Sequence, residues 1–230
     1  MVPGATTPGK SGAHSGGGDF LKALEKTRVL PLLSGEAPEK LLQAGRILVR
    51  AGFEVLEVAL RTPSALEALS LLSRELPQVL LGAGTLLEAS QVEEVRRAGA
   101  RFVVSPGFRP ALHEAARQAG LPFIPGVATP TEAMAALDEG LTLLKFFPAE
   151  ALGGAPRLRA THAALGHKGL RWIPTGGIGL QNLSTYLALP WVAACGGSWL
   201  APRNALEQGD FQALGRRAEE TLALTRRSRP

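Results

Sequence analysis

The sequence predicts an α/β protein, a single-domain closed parallel (β/α)8 barrel of the TIM type. From Arg28 onward, short runs rich in leucine and β-branched residues alternate with amphipathic stretches. Ala-Gly pairs recur at 51–52, 98–99 and 119–120, each typical of a helix C-cap glycine that leads into a strand. A chain of 230 residues is also long enough for one such barrel. An open, doubly wound sheet is the alternative fold.

The predicted elements begin after a Gly/Ser-rich stretch. Residues 1–18 are dominated by Gly, Ser, Thr and Pro and lack the apolar segment of a signal peptide, which predicts a flexible N-terminal extension before a domain over 19–230. A short helix is predicted from about Asp19 to Lys26, with Asp19 as its N-cap. Eight strands follow, each succeeded by a helical pattern. They are predicted over 28–33, 54–60, 79–82, 101–105, 122–125, 141–147, 171–174 and 191–195.

The composition excludes several functional classes. Hydrophobic residues form 45% of the chain and charged residues 20%, as in a soluble globular protein. The apolar runs are too short to cross a bilayer, so no membrane association is expected. Cys195 is the single cysteine, which rules out an intrachain disulfide and favours a cytoplasmic location. The four histidines lack the spacing of a metal site, so neither a metal nor a cofactor is expected.

The net charge of +5 could suggest nucleic-acid binding, but the excess lies mainly at 216–217 and 226–229. A solvated helix face and a basic tail explain it equally well. Nucleic-acid binding also commonly uses basic patches interleaved with aromatic side chains, and aromatic residues make up only 5% of this chain. The sequence therefore predicts no nucleic-acid partner.

Lys145 stands inside the apolar run LTLLKFFP at 141–148. Burial disfavours the charged form of a lysine and provides a neutral amine, which can form a Schiff base with a ketone. The alternative is a lysine at a strand end that reaches solvent or pairs with a carboxylate.

The second strand places charge on its inner face. Because side chains alternate along a strand, Glu57, Ala59 and Arg61 share one face, and the leucine and valine side chains between them suit the helix layer. A carboxylate and a guanidinium inside a barrel are costly unless they are paired or used. One interpretation is a purely structural Glu57–Arg61 ion pair; the other is a functional site.

The same alternation applies to the sixth strand. Leu143, Lys145 and Phe147 share one face, which can bring Lys145 towards Glu57 across the barrel. Polar and glycine-rich residues follow the strands, and in a barrel all these strand ends meet at the C-terminal rim, where active sites form. The sequence therefore predicts an amine, a carboxylate and an anion-binding group in one pocket.

Two glycine-rich turns predict a second part of this site. The segments 175–177 (TGG) and 196–198 (GGS) can present backbone N–H groups and hydroxyls at helix N-termini, at the usual phosphate position of such a barrel. Glycine in either turn alone could serve only to permit a tight bend. The two turns on adjacent strands favour a phosphorylated substrate.

Several motifs together resemble those of the 2-keto-3-deoxy-6-phosphogluconate (KDPG) aldolase family, which includes bifunctional 4-hydroxy-2-oxoglutarate (KHG) aldolases. The resemblance extends from Arg28 to about Pro202, with all motifs in the family's order. The matching motifs are LEVALRTP at 56–63, GAGT at 82–85, VSPG at 104–107, IPGVATPTE at 124–132, LKFFPAE at 144–150, PTGGI at 174–178 and GGSWL at 196–200.

The resemblance implies a class I aldolase on a (β/α)8 barrel, assembled as a homotrimer and acting on a phosphorylated keto acid. It implies that Lys145 forms the Schiff base, that Glu57 is the general acid and base, and that Arg61 and Thr85 hold the substrate carboxylate. The remaining implied positions are Pro106 and Phe147 in the pocket wall, Gly176, Gly177, Gly197 and Ser198 in the phosphate cradle, and Thr175 near the junction.

Two positions depart from the family's pattern. Ala59 stands where the family commonly has threonine, and Leu33 stands where some relatives place an arginine in the pocket. The missing hydroxyl at Ala59 is expected to change how the substrate is oriented. Both departures are expected to affect which of several similar keto acids is preferred.

The resemblance implies cleavage of KDPG to pyruvate and glyceraldehyde 3-phosphate, and of KHG to pyruvate and glyoxylate. Three alternatives stay open: an aldolase for the galactonate epimer, a phosphosugar epimerase or isomerase on the same barrel, and a phosphosugar-binding protein without catalysis.

Overall fold

The computed structural model describes residues 15–228. The strands are β1 (Val29–Leu33), β2 (Val55–Ala59), β3 (Leu80–Gly84), β4 (Phe102–Val104), β5 (Phe123–Ile124), β6 (Gly126–Val127), β7 (Leu143–Phe146), β8 (Arg171–Pro174) and β9 (Cys195–Gly197). The helices are α1 (Ser15–Thr27), α2 (Pro38–Ala51), α3 (Ala65–Glu75), α4 (Ser90–Arg97), α5 (Pro110–Gln118), α6 (Pro130–Asp138), α7 (Gly154–Leu165), α8 (Leu183–Leu187), α9 (Arg203–Gln208) and α10 (Phe211–Arg227), with 3-10 turns at Glu150–Leu152 and Gly166–Lys168.

The strands form a curled parallel sheet in two parts. One part has the order β5-β4-β3-β2-β1-β9 and the other the order β6-β7-β8. Only Pro125 separates β5 from β6 along the chain. Proline has no N–H to contribute to a strand ladder, but the Pro125 carbonyl accepts a hydrogen bond from the Lys145 N–H at 2.9 Å. Single parallel bridges join Trp172 to Val192 and Thr175 to Gly196.

The first seven predicted strands are confirmed, the fifth of them being divided at Pro125. The eighth prediction was wrong, because the strand lies at Cys195–Gly197 and not at 191–195. Trp191 belongs to a turn after α8, and Val192 forms only a bridge. Gly196 and Gly197, which the sequence predicts in a turn, are strand residues because they pair in parallel register with Leu30 and Pro31 of β1. Gly196 also lies close to Thr175, since an added Cβ would be 2.4 Å from Thr175 Oγ1.

The N-terminal helix is longer than predicted. It begins at Ser15, so Asp19 lies within the helix and is not its N-cap. Residues 1–14 of the predicted extension are outside the described part of the chain. Phe20 of this helix packs on Phe102 with ring centroids 4.5 Å apart, which ties α1 to the inner face of the sheet.

Two hydrophobic cores confirm the predicted alternation. Leu56 and Val58 belong to the large core between the sheet and the helices, whereas Val55 belongs to a smaller core. That smaller core contains Leu30, Phe102, Val104, Ile124, Ile173 and Ala194 together with Phe20, Ala23 and Leu24 of α1. Burial of each large apolar side chain contributes about 1.5–3 kcal/mol. The inner face therefore is apolar near the strand starts, and its ionisable residues lie further along the strands.

Cys195 is buried in β9 and free. Burial raises the pKa of its thiol, which disfavours the reactive thiolate.

His162 makes the stability of the fold dependent on pH. Trp172 Nε1 donates a hydrogen bond to His162 Nδ1 at 3.0 Å, and the imidazole stacks on Trp191 at 4.0 Å. Burial lowers the pKa of His162 below its usual 6.5. Because the unfolded chain then binds the proton more readily, stability is complete above about pH 6.5 and falls as the pH drops towards the lower folded-state pKa.

His162→Gln is expected to flatten this pH dependence, because the amide keeps an acceptor and does not titrate. The check is the free energy of urea unfolding at pH 8 and pH 5 for both proteins. The wild type is expected to lose more stability between pH 8 and pH 5 than His162→Gln does. An equally steep fall in His162→Gln would show that other groups cause it.

Candidate active site

Lys145 and Glu57 meet on the inner face of the sheet. Lys145 lies on β7 and Glu57 on β2, and their side chains are only 3% and 2% exposed. Lys145 Nζ lies 3.8 Å from Glu57 Oε1. The structure thus places both predicted residues together and excludes a Lys145 side chain that reaches into solvent.

Glu57 Oε1 has no hydrogen-bond partner within residues 15–228. Its separation from Lys145 Nζ exceeds the 2.7–3.2 Å that is usual for a hydrogen bond. A buried acceptor without a donor costs about 1–3 kcal/mol or more. A buried polar atom of this kind calls for an explanation, and a catalytic role is one of the recognised explanations.

The ring of Phe147 forms another side of the amine's environment. Its centroid lies 5.2 Å from Lys145 Nζ, which permits a cation–π contact with the protonated amine. Phe147 is half-buried, and its ring therefore combines contact with the amine and partial exposure to solvent.

Glycine at position 84 makes room for the Glu57 carboxylate. Gly84 ends β3 and pairs in register with Ala59. A Cβ at this position would lie 1.9 Å from Glu57 Oε1 and 2.6 Å from Glu57 Cδ. A shift of a few tenths of an ångström does not relieve contacts this short. Any side chain at position 84 must therefore displace the Glu57 carboxylate.

Since the family resemblance implies that Glu57 is the general acid and base, Gly84→Ala is expected to lower kcat by about 10²-fold, the lower end of what such assistance contributes. Steady-state assays measure kcat, and thermal unfolding checks that the variant is folded. Gly215→Ala on α10 is the matched control, since its added Cβ makes only an ordinary 3.9 Å contact with Ile47. Full activity in Gly84→Ala would mean that the carboxylate position is not critical.

Arg61 and Thr85 lie beside each other at the rim. Arg61 Nε donates to Thr85 Oγ1 at 3.2 Å. Within the described residues the ion-pair partner of Glu57 is Lys145 and not Arg61, so the structural Glu57–Arg61 pair is not found. Thr85 has φ 62°, a rare conformation for a β-branched residue. Backbone strain of this kind is often found at ligand-binding positions.

Pro106 lies against the strand that pairs with β7. A Cβ on Gly126 would come within 2.1 Å of the Pro106 carbonyl oxygen, and Gly126 is the register partner of Lys145. Sequence reasoning missed the adjacent Ser105, which is 2% exposed and accepts a hydrogen bond from the Gly107 N–H at 3.4 Å. A polar residue at the end of the apolar run FVVS was the signal for it.

The two glycine-rich turns are neighbours in space. Thr175 is buried and bridges to Gly196. Gly176 and Gly177 have φ of 101° and 81°, which favour glycine. A Cβ on Gly197 would lie 3.8 Å from the Ile178 carbonyl oxygen, which places the second turn next to the first.

The predicted helix N-termini do not lie at these turns. Ser198 is exposed after β9, but α9 begins only at Arg203, and α8 begins only at Leu183. The prediction that helix N-termini form the cradle was wrong in this respect, because irregular turns of several residues separate each strand from its helix. The backbone N–H groups of the turns themselves are the available donors.

Leu33 does not lie in the pocket. It is fully buried in the core between the sheet and the helices, on the opposite side of β1 from Leu30. The pocket position implied for Leu33 was wrong, because strand alternation turns this side chain outward. Ala59 is buried at the end of β2, two residues after Glu57 and on the same face.

The described residues form neither a metal centre nor a membrane-spanning helix. Over residues 15–228, no group of three or more His, Cys, Asp or Glu side chains is arranged to hold a metal ion. Within the same residues, no helix combines the length and apolar character needed to cross a membrane.

The chain matches a family model described as KDPG and KHG aldolase over residues 21–217. It is 42% identical over 205 residues to the 2-dehydro-3-deoxy-phosphogluconate aldolase of Treponema pallidum, with 89% of this chain and 97% of that protein covered. The KHG/KDPG aldolase of Escherichia coli K12 is 42% identical over 194 residues, covering 84% of this chain and 90% of that protein.

A solved structure of similar fold is that of KDPG aldolase from Legionella pneumophila, with pyruvate captured at low pH as a covalent carbinolamine intermediate. It superposes with a TM-score of 0.82 at 38% identity, covering 89% of this chain and 97% of that one. Covalent capture of pyruvate in that protein is the chemistry that a buried amine beside a carboxylate can perform.

Proposed function

This chain belongs to the KDPG and KHG aldolase family, and from that membership we propose that Lys145 is its Schiff-base nucleophile and Glu57 its general acid and base. The protein is a carbon–carbon lyase that cleaves KDPG to pyruvate and glyceraldehyde 3-phosphate. The observation that carries the residue assignment is the buried Glu57 carboxylate, whose Oε1 lacks a hydrogen-bond partner among the described residues and lies 3.8 Å from Lys145 Nζ.

The reaction begins when the neutral amine of Lys145 adds to the C2 ketone of the substrate. Glu57 transfers one proton from the nitrogen of the adduct to the former ketone oxygen and relays a second proton from solvent to the same oxygen, which then leaves as water. The product is an iminium between Lys145 and the substrate. A carboxylate within reach of the amine and of the departing oxygen is the group that such proton transfers need.

Cleavage follows from the same two residues. Glu57 takes the proton of the C4 hydroxyl, the C3–C4 bond breaks, and its electron pair moves to the iminium to form an enamine. Glyceraldehyde 3-phosphate departs. A proton returned to C3 by Glu57 restores the iminium, and water hydrolyses it to pyruvate and free Lys145. Every proton that the carboxylate accepts is returned before the cycle ends.

The other predicted residues hold the two ends of the substrate. Arg61 and Thr85 bind its carboxylate, supported by the 3.2 Å contact between them at the rim. Pro106 and Phe147 form walls beside the amine. The phosphate is bound by the adjoining turns, with donors from Gly176, Gly177, Gly197 and Ser198 and with Thr175 at the junction between phosphate and reacting carbons.

The two parts of the sheet are proposed to close as a single (β/α)8 barrel. In support, β5 and β6 read as one strand interrupted at Pro125, whose carbonyl still accepts from the Lys145 N–H. The bridges of Trp172 with Val192 and of Thr175 with Gly196 connect β8 to the segment of β9. A crystal structure with continuous backbone hydrogen bonds across both junctions would verify the closure.

The test of the activity is a substrate panel. Purified protein is incubated with KDPG, its galactonate epimer or KHG, and pyruvate release is measured with a coupled dehydrogenase. We expect the highest kcat/KM with KDPG and cleavage of KHG as well. Reduction with borohydride in the presence of pyruvate should attach the adduct to the peptide containing Lys145. An epimerase, an isomerase or a binding protein would give neither pyruvate nor an adduct.

A homotrimer in the cytoplasm is also proposed, on the basis of the family resemblance. Leu87 and Met134 are large apolar side chains that are 49% and 54% exposed in the single chain. Sedimentation equilibrium of the purified chain should give three times the monomer mass of 24.1 kDa. A monomer at micromolar concentration would contradict it.

A further inference from the structure

The turn at 175–177, which is proposed to bind the phosphate, accepts hydrogen bonds from the segment that follows β7. The Ala149 N–H donates to the Thr175 carbonyl at 2.8 Å, and the Glu150 N–H donates to the Gly176 carbonyl at 3.0 Å. Two consecutive donors thus engage two consecutive acceptors. The position of the 149–150 segment therefore determines how the turn is oriented.

A third contact holds the next carbonyl of the turn. Asn182 Nδ2 donates to the Gly177 carbonyl at 3.0 Å, while Asn182 Oδ1 accepts from the Gly179 N–H at 2.9 Å. In a trans peptide the C=O and N–H groups point in opposite directions. Holding the carbonyls on one side therefore directs the N–H groups of Gly176 and Gly177 to the other side, away from Glu150.

The Glu150 side chain reinforces this orientation. Its stem packs against Gly177, where an added Cβ would lie 2.7 Å from Glu150 Cβ and Cγ. Its carboxylate accepts a hydrogen bond from Tyr186 Oη. Gly154, with φ 66°, leaves room for this bond, because a Cβ there would lie 3.1 Å from Glu150 Oε1 and 3.4 Å from Tyr186 Oη.

Tyr186 is a rigid anchor for the carboxylate. It lies on α8, is only 1% exposed, and belongs to the core between the sheet and the helices. Burial, and then the hydrogen bond to Glu150, raise the pKa of Tyr186 well above its usual value. The phenol therefore remains a hydrogen-bond donor throughout the working pH range. Glu150 itself is exposed at the surface, so without Tyr186 its side chain would be free to change rotamer.

We propose that Glu150 and Tyr186 are a positioning pair that orients the turn at 175–177 and thereby sets the preference for phosphorylated over unphosphorylated keto acids. This rests on the proposed function, which assigns the phosphate to that turn. Neither residue touches the reacting carbons. Their effect is exerted through the backbone N–H groups of the turn.

The test compares Tyr186→Phe, which removes only the hydroxyl, with Ser184→Ala, which removes an exposed hydroxyl from the same helix. Glu150→Ala and Glu150→Gln form the second pair, since glutamine keeps an acceptor oxygen. Binding of 3-phosphoglycerate, a phosphorylated carboxylate that is not cleaved, is measured by calorimetry for each protein. Borohydride trapping of pyruvate, which has no phosphate, is measured in parallel.

The expected result is an approximately tenfold weaker affinity for 3-phosphoglycerate in Tyr186→Phe and Glu150→Ala, the size of one hydrogen bond to a charged group. Ser184→Ala should be unchanged and Glu150→Gln close to the wild type. The rate of pyruvate trapping should be unchanged in all four variants, which a merely structural role would not produce.

Unchanged affinity in Tyr186→Phe and Glu150→Ala would overturn the proposal, and so would an equal loss of affinity and of pyruvate trapping. A wild-type protein that does not bind 3-phosphoglycerate would overturn it as well. Failure of the wild type to trap pyruvate would contradict the assignment of Lys145 instead, and the binding comparison would still decide the role of the pair.

Discussion

Lys145→Met is expected to abolish the borohydride-stable pyruvate adduct and to lower kcat/KM by about 10⁴-fold or more, as the loss of a covalent nucleophile does in other enzymes. Methionine fills a similar volume in the buried site but has no amine to add to the ketone. Mass spectrometry of the reduced protein and the coupled pyruvate assay measure the two effects.

Lys168→Met is the matched control, because Lys168 is exposed in the 3-10 turn at Gly166–Lys168. It should keep both the adduct and the activity. An adduct that persists in Lys145→Met at wild-type yield would show that another amine is the nucleophile and would remove the basis of the mechanism.

Lys145→Met is also expected to lower the free energy of unfolding. Lys145 and Glu57 are 3% and 2% exposed, so removing the amine leaves a buried carboxylate without its ion-pair partner. Breaking a buried pair in this way costs up to about 3–5 kcal/mol. Adding Glu57→Gln to Lys145→Met should recover part of that loss, which urea unfolding of the single and double variants would detect.

Glu57→Gln is expected to lower kcat by about 10²- to 10⁴-fold while the fold is retained. The amide has the size of the carboxylate but cannot accept and return the protons of the carbinolamine and of the C4 hydroxyl. Pyruvate should still be trapped on Lys145, at a slower rate, because the nucleophile remains. Single-turnover trapping and steady-state assays with KDPG separate these effects.

Glu54→Gln is the control for this substitution. Glu54 directly precedes β2 and is exposed, in an ion pair with Lys26 at 2.7 Å, and surface pairs of this kind contribute at most about 1 kcal/mol. Its activity should equal that of the wild type. Wild-type turnover in Glu57→Gln would show that neither the charge nor the proton transfers of Glu57 are needed, and it would overturn the assignment.

The predictions that succeeded depend on local periodicity. Strand alternation placed Glu57 and Lys145 on the inner face and Leu56 and Val58 on the outer face, and the two cores confirm this. Local periodicity did not give the correct boundaries of the last strand. The sequence predicts the eighth strand over 191–195, whereas β9 lies at Cys195–Gly197, where its residues pair with β1 in parallel register.

The sequence by itself predicted the parts of the candidate site that lie within a strand or directly after one: a lysine in an apolar strand, a carboxylate on the inner face, and a glycine-rich turn after β8. Those features follow from neighbouring residues, since side-chain direction repeats every second residue. Only the tertiary structure decided that Gly84 must lack a side chain, that Leu33 faces the helices, and that Glu150 and Tyr186 support the turn at 175–177. These contacts join segments distant along the chain, and their distances are set by strand register and by the packing of the whole sheet.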